Sequence, residues 1–557
     1  MKNYDIVVIG SGASGGAISY VLAKAGYKVA IIEKGRLIDR DEFSKDELAY
    51  TRRNIITPNI YNEYHILEYM QDGKWINKPT YELGYSFFNG NILGGSSNFM
   101  SGMFHRMHPD DFRLADILDI KGSDIQNWAI DYEELEPYYT KVEHMVGISG
   151  RYQSHKYEPY RKSKEFAYPP LQENKVVKLI DSSCKHLGIT PLTTPRAILS
   201  LRHNHRDGCY YSGFCGSYGC SSGAKGSALE AFIKPALQTN NVDIYTNTQV
   251  VSIHTSRSDK IEYIKCINRI NKKEFKLYAS IFVLSAQAHE SVRLMLNSAS
   301  KEHPEGLANS SGQLGKNLIF SAGGVISANL DKAYLKGIGF EELMEFGTFV
   351  NRSIKDWYFL DTKLKGGLVE FMFESSSIIA KATKNNIQEG RLLWGKALSD
   401  EVEKRFKQQR ELRVEIFNDW IPNDKCYITV DKKHLDIYGK PVGKLKIYEH
   451  PHNKKIANIL IEKSKKILKQ MNATDIRVDI PTLPPPNLIA GGARFGHNPK
   501  TSVLNKHCQA HDIPNLFVVD ASFMPTGGSV PYTWTIYANA LRVGEYISFK
   551  LGLNSSL

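Results

Sequence analysis

The sequence predicts an α/β protein: a Rossmann-like dinucleotide-binding domain interleaved with an α+β domain of antiparallel sheet and helices. Three observations predict it. Residues 5–35 (DIVVIGSGASGGAISYVLAKAGYKVAIIEKG) read strand, glycine turn, small-residue helix, strand. Two further runs, IFVLS at 281–285 and NLFVVD at 515–520, have the unbroken apolarity of strands buried on both faces of a parallel sheet. Between them, residues 320–480 mix strand patterns with two long charged helical patterns and close at the proline-rich run 481–486. A chain that leaves one domain in its middle and returns at its end is interleaved.

The opening unit carries the most chemistry. Gly10, Gly12 and Gly15 form G-x-G-x-x-G directly after a strand and at the start of a helix. The first glycine permits the tight turn, the second lets backbone approach a pyrophosphate, and the third lets helix and strand pack closely. The helix start offers free N–H groups and a positive dipole end to phosphates. Glu33 ends the second strand, where an acid can accept from ribose hydroxyls.

Further along, NGNILGGSSN at 89–98 is a loop by its glycines and serines. Residues 150–200 read as loop with one helix at 174–187, and a helix begins at about 227. Strands follow at 242–245, 249–254 and 262–268, then a helix at 289–297. Charged helices are expected at 400–413 and 454–471, and a closing helix at 532–551. The chain divides into first-domain parts 1–150, 206–320 and 486–557, a connecting segment 151–205, and a second domain 321–485.

Totals narrow the class. The chain has 557 residues, enough for two or three domains, with 42% hydrophobic and 23% charged residues. No apolar run approaches the ~20 residues of a membrane helix. Residues 1–4 lead straight into the first strand, so a cytoplasmic address is expected, or carriage across a membrane on a partner. The net charge of +12 is scattered and reads as a lysine-rich surface, with a steering field for an anionic substrate as the other reading. No nucleic-acid module is present. Seven cysteines, an odd number, do not suggest a disulfide framework.

Several motifs, in order, resemble the glucose–methanol–choline (GMC) oxidoreductases, a family of FAD enzymes. ILGGSS at 92–97 is similar to the family's glycine–serine flavin loop. WAIDYEELEPYY at 128–139 is similar to its W-P-x-x-Y-x-x-L-x-P-Y-Y segment. VLSAQAHESVR at 283–293 resembles A-G-A-x-E-S-x-R-L, with Gln287 where a glycine is usual. GKNL at 315–318 and NLFVVDASFMP at 515–525 resemble two further signatures. GGARFG at 491–496, NPKTSVLN at 498–505 and the cysteine loop resemble the gluconate dehydrogenase and pyranose oxidase branch.

The resemblance implies oxidation of a CH–OH group of a sugar, polyol or glycoside. Hydride would pass to flavin N5 and on to an acceptor other than oxygen, with a small subunit or electron-transfer partner possible. It implies FAD held without a covalent link, since Phe99 stands near the histidine that links it in some relatives. Gly10, Gly12, Ala13, Ser14, Gly15, Glu33 and Lys34 would serve the ADP part. Gly95, Ser96 and Asn98 would serve the flavin, Val251 the adenine, Asp520 and Ala521 the ribityl and pyrophosphate, and Thr533 the pyrimidine edge.

The chemistry departs from the family at two positions. Its catalytic histidine falls on Leu488 and its second His or Asn on Pro531, and neither side chain can move a proton. His497 or Tyr532, or less directly His450 or His452, would then act instead. Alternatively the flavoprotein has altered or redox-neutral chemistry, or binds flavin without catalysis. Arg494 reads as structural. Cys209, Cys215 and Cys220 share one loop with C-x5-C-x4-C spacing. Relatives with cytochrome partners carry a three-iron cluster on similar cysteines. The alternatives are packing or reactive thiols, or a zinc completed by His203 or His205.

Overall fold

A computed structural model describes residues 3–552 other than 50, 257–258, 336, 385 and 389. Asn3–Ile9 lies at the centre of a parallel sheet, between Val29–Ile32 and Glu274–Leu284. Val242–Tyr245 extends the sheet on one side and Leu516–Val518 on the other. Ile6, Val7, Val8, Ile31, Phe282 and Val283 are fully buried, as unbroken apolar strands require when both faces are covered. The helices Ala13–Lys24 and Thr533–Lys550 pack on each other, and a Cβ added to Gly544 would lie 3.0 Å from Val21. Glu274–Leu284 is longer than its sequence pattern suggests. Its first half pairs with Ile261–Asn268, which pairs in turn with Thr248–Thr255, both antiparallel.

The second layer is an eight-stranded, largely antiparallel sheet. Its strand Gln409–Asp419 pairs with Val325–Asp331 and with Gly367–Phe373. Leu412, Val414 and Ile416 bury in one apolar cluster with Ile456, Leu460 and Ile461 of the helix Pro451–Gln470. Arg413, Glu415 and Phe417 alternate with them and belong to the other face. This corrects the expectation of one helix over 400–413. Helix Gly395–Lys407 ends, and the strand begins at Gln409. Alternating burial with a partner on each side overrides the helix preference of these charged residues.

Two further pairings place the site. Leu318–Ala322 pairs with both Gln409–Asp419 and Ile489–Gly491, bringing the residues around Leu488 against the sheet. The hairpin Ile66–Gln71/Lys74–Pro79, absent from the sequence reading, adds to Pro441–Ile447 in parallel. Its turn is Asp72–Gly73, both at positive φ, the pairing that suits a tight hairpin. Among the described residues no helix is long and apolar enough to cross a membrane.

Candidate active site

The glycine turn is built by close approach. A Cβ on Gly10 would stand 2.3 Å from the Ser285 carbonyl oxygen, and one on Gly15 2.0 Å from the Gly10 oxygen. Gly12 faces open space instead. It caps helix Ala13–Lys24 without any side-chain hydrogen bond, so the first-turn N–H groups remain available to an anion. A Cβ on Gly95 would lie 3.0 Å from the Gly12 Cα, which brings the glycine–serine loop to the same point. From here a cavity of about 1040 Å³ runs between the two sheets. Its lining includes Gly10, Gly12, Glu33 and Val251 of the nucleotide-binding layer, and Glu415, Phe417, Leu488 and Tyr532.

The residues expected to hold the dinucleotide mostly line this cavity. The Glu33 carboxylate accepts from Ser11 N at 3.2 Å, Ser11 Oγ at 2.6 Å and Gly35 N at 2.8 Å, and burial raises its pKa. Lys34 is paired with Glu63 at 2.7 Å. Ser14 Oγ meets Ser285 Oγ at 2.5 Å, and Ala13 is beside it in the wall. Val251 sits at a β-bulge between Val250 and Ser252, outside the ladder register, so its backbone is left for another partner. Gln287 adopts φ +80, a strained value for a side-chain-bearing residue, at the start of helix Ala288–Leu296.

Asp520 accepts from Ser522 N at 3.0 Å, Ser522 Oγ at 2.6 Å and Ser291 Oγ, and burial raises its pKa. Ala521 and Thr533 line the wall, and helix Thr533–Lys550 starts without a side-chain cap. Two expected contacts sit behind the wall. Gly15 packs against the turn. Asn98 Nδ2 donates to Leu93 O and Gly95 O, both at 3.0 Å, and braces the loop from within. Ser96 remains in the lining.

Leu488, Pro531 and Tyr532 all line the same cavity. The Tyr532 hydroxyl is buried with no hydrogen-bond partner, and burial pushes its pKa far up. The segment before it is anchored by a buried charge network. Lys365 pairs with Asp111 and, at 2.6 Å, with Asp419. Asp419 in turn accepts from Gly528 N at 2.8 Å and Ser529 Oγ at 2.9 Å.

The histidine candidates are corrected. His497 is exposed and outside the cavity lining, because the chain turns outward after Phe495. His450 caps helix Pro451–Gln470, with Nε2 3.1 Å from Lys121 O, and His452 follows it; neither lines the cavity. Arg494 pairs with Asp124 at 3.0 Å, as a structural arginine would.

Among the cavity residues that the sequence does not single out are Glu415, Arg413 and Arg53. Glu415 has no hydrogen-bond partner among the described residues, and burial raises its pKa against the opposing pull of Arg413. The signal was present in the alternation of 411–417, which the helical reading concealed.

Cys209, Cys215 and Cys220 gather around one apolar cluster with Leu199, Ala224 and Phe349. Burial raises the Cys209 thiol to about 12. Burial opposes ionisation of Cys220 too, but Lys225 and Ser222 outweigh it and its pKa is lowered. Buried Lys225 donates to Asn98 O, Cys215 O and Tyr218 O at 3.2, 3.0 and 2.8 Å, tying the cysteine loop to the glycine–serine loop. No sulfur joins His203 or His205 in a three-ligand group within 4.8 Å among the described residues, so zinc has no ready-made site. The grouping of that kind is His65, His289 and Glu290, whose carboxylate already pairs with Arg293 at 3.2 Å.

The uncapped helix start, the glycine cradle and buried Glu33 fit a dinucleotide with its diphosphate at the turn. Residues 14–322 and 422–540 match the N- and C-terminal models of the GMC oxidoreductase family. The chain is 26% identical over 549 residues to paromamine 6'-oxidase of Streptomyces fradiae, covering 98% of this chain and 92% of that one. It is 29% identical over 556 residues to 2-methyl-1,2-propanediol dehydrogenase of Mycolicibacterium austroafricanum, covering 98% and 95%. In fold it is similar to formate oxidase of Aspergillus oryzae, with TM-score 0.65 and 13% identity over 99% of this chain and 98% of that one. The chain belongs to the GMC oxidoreductase family and is an FAD-dependent oxidoreductase.

Proposed function

We propose that the protein oxidises a CH–OH group of a sugar, polyol or glycoside and passes the electrons to an acceptor other than oxygen. One observation carries this reading: the cavity lined by the dinucleotide cradle is lined also by Glu415, a carboxyl with no hydrogen-bond partner among the described residues, and by Tyr532, whose hydroxyl is buried without a partner. FAD, when bound, supplies the hydride acceptor at N5. The chain must hold the hydroxyl-bearing carbon and take up the hydroxyl proton. Leu488 and Pro531 cannot do so; the Glu415 carboxylate can, with Tyr532 hydrogen-bonding the substrate oxygen. Ser101, Ser321, Ser375 and Glu374 also line the cavity and offer partners for several hydroxyl groups.

Two relatives are named for hydroxylated substrates, in support of this class. The non-oxygen acceptor rests on the likeness of the cysteine loop and residues 491–505 to the gluconate dehydrogenase branch. Cys209, Cys215 and Cys220 offer three sulfurs for an iron–sulfur cluster serving that transfer. Iron and acid-labile sulfide in the purified protein test it, and their absence leaves the three as packing thiols.

A second reading, altered or redox-neutral flavin chemistry, is favoured by Leu488 and Pro531 lining the cavity. Anaerobic mixing with a panel of sugars, polyols and glycosides separates the two. Bleaching of the flavin is expected under the first reading. A normal flavin spectrum that no alcohol bleaches leaves the second.

A further inference from the structure

Four arginines line the cavity, and two of them, Arg53 and Arg413, have no ion pair among the described residues; Arg413 faces the carboxyls of Glu411 and Glu415, whereas Arg53 has no such neighbour. Arg52 beside it pairs with Glu47 at 2.9 Å, and Arg293 pairs with Glu290 at 3.2 Å and with Asp436 at 2.5 Å. Arg53 lines the same cavity with no ion pair among the described residues, and its Nε is buried without a hydrogen-bond partner. Burial lowers its pKa to about 10, so it is still charged at neutral pH. Charged groups taken out of water are ordinarily met by a counter-charge, and none pairs with Arg53 among the described residues.

Its contacts say where the missing anion belongs. Arg53 N donates to Ser217 O at 2.6 Å, and Ser217 N to Phe99 O at 2.8 Å. The guanidinium lies 5.8 Å over the Phe88 ring, and Phe88 O accepts from Ser96 Oγ at 2.7 Å. Arg53 is therefore tied to both ends of the loop Gly95–Phe99, whose Gly95 stands against Gly12 at the uncapped helix start.

We propose that Arg53 is an oxyanion-binding residue of this cavity, meeting either a phosphate oxygen of the FAD diphosphate or a carboxylate or phosphate on the substrate. The planar fork of arginine suits either group, since both present two oxygens side by side. This inference rests on FAD binding and not on the substrate class proposed above.

Two titrations of the holoprotein, wild type against R53M and R53K, test it. Serial dilution releases FAD, whose recovered fluorescence reads its dissociation constant. If the diphosphate is the anion, R53M weakens FAD binding roughly ten- to a hundredfold, the loss of a charge-assisted hydrogen bond, with R53K between. Inorganic phosphate, gluconate and glucose are added separately while the oxidised flavin spectrum is recorded. If the substrate is the source, FAD affinity holds. Phosphate or gluconate then shifts the wild-type spectrum where glucose does not, and R53M loses that shift. Should R53M fail to fold, R53K keeps the charge but not the fork, and at least about a threefold weakening of one of the two titrations is expected. FAD affinity within about twofold together with an unchanged response to all three additives overturns the proposal, whatever happens to the melting temperature. Failure of alcohols to bleach the flavin would sink the alcohol-oxidising reading and leave both titrations interpretable.

Discussion

Replacing Glu415 by glutamine removes a proton acceptor while keeping nearly the same shape. The structure sets the size of the effect. The carboxyl lines the cavity with no hydrogen-bond partner among the described residues, and burial raises its pKa. A positioned base contributes about 10²–10⁴ in rate, or about 3–5 kcal/mol of barrier. In wild type the rate of anaerobic flavin bleaching should therefore climb with pH through a value above the usual ~4.3 of glutamate. In Glu415→Gln it should fall by that factor and lose the climb. Glu370 is the cross-strand neighbour, and a like charge opposite is unfavourable. A carboxyl raised by its surroundings detracts from stability once ionised, so the variant should unfold at the same denaturant concentration or slightly higher at neutral pH. Stopped-flow absorbance under nitrogen reads the rate, and urea titration reads the fold. Bleaching within about threefold of wild type, with the same pH profile, would refute the assignment of Glu415 as the base.

Lys365→Met leaves Asp111 and Asp419 buried without their cation; a loss of about 3–5 kcal/mol is expected by chemical denaturation. A loss below about 1 kcal/mol would show that the network is not held by this lysine. Tyr532→Phe removes a buried hydroxyl with no protein partner, so stability should hold within about 1 kcal/mol while substrate affinity falls; unchanged affinity by flavin spectral titration would remove Tyr532 from the site. Burial lowers His289 to about 3. Below the ordinary value near 6.5 the unfolded chain takes up a proton that the folded chain refuses, so stability falls with pH across the window from about 6.5 to 3. The drop should reach about 2 kcal/mol between pH 6.5 and pH 5, and His289→Gln should flatten it.

Much of the cofactor end was legible because its instructions are local. Gly10, Gly12 and Gly15 need only a strand before them and a helix after them, and both lie within the same few residues. The reading of 400–413 failed for the opposite reason. The residues after Gln409 carry charges that suit a helix, and only pairing with Val325–Asp331 and Gly367–Phe373 makes them a strand. That error hid Glu415, whose side was set by the same pairing. The hairpin Ile66–Gln71/Lys74–Pro79 was marked by Asp72–Gly73, a signal present in the sequence but overlooked.

His497 shows the limit of proximity along the chain. It lies five residues beyond Gly492 yet turns outward, while Tyr532, more than thirty residues on, lines the same cavity as Leu488. The sequence by itself determined the α/β class and the dinucleotide cradle, because each is written in adjacent residues; that Leu488 and Pro531 fall on the catalytic positions is what the family resemblance implies. That Glu415 and Tyr532 line the cavity, and that Arg53 does so without an ion pair among the described residues, was decided only by tertiary structure. Burial and pairing are properties of segments that meet in space from distant parts of the chain.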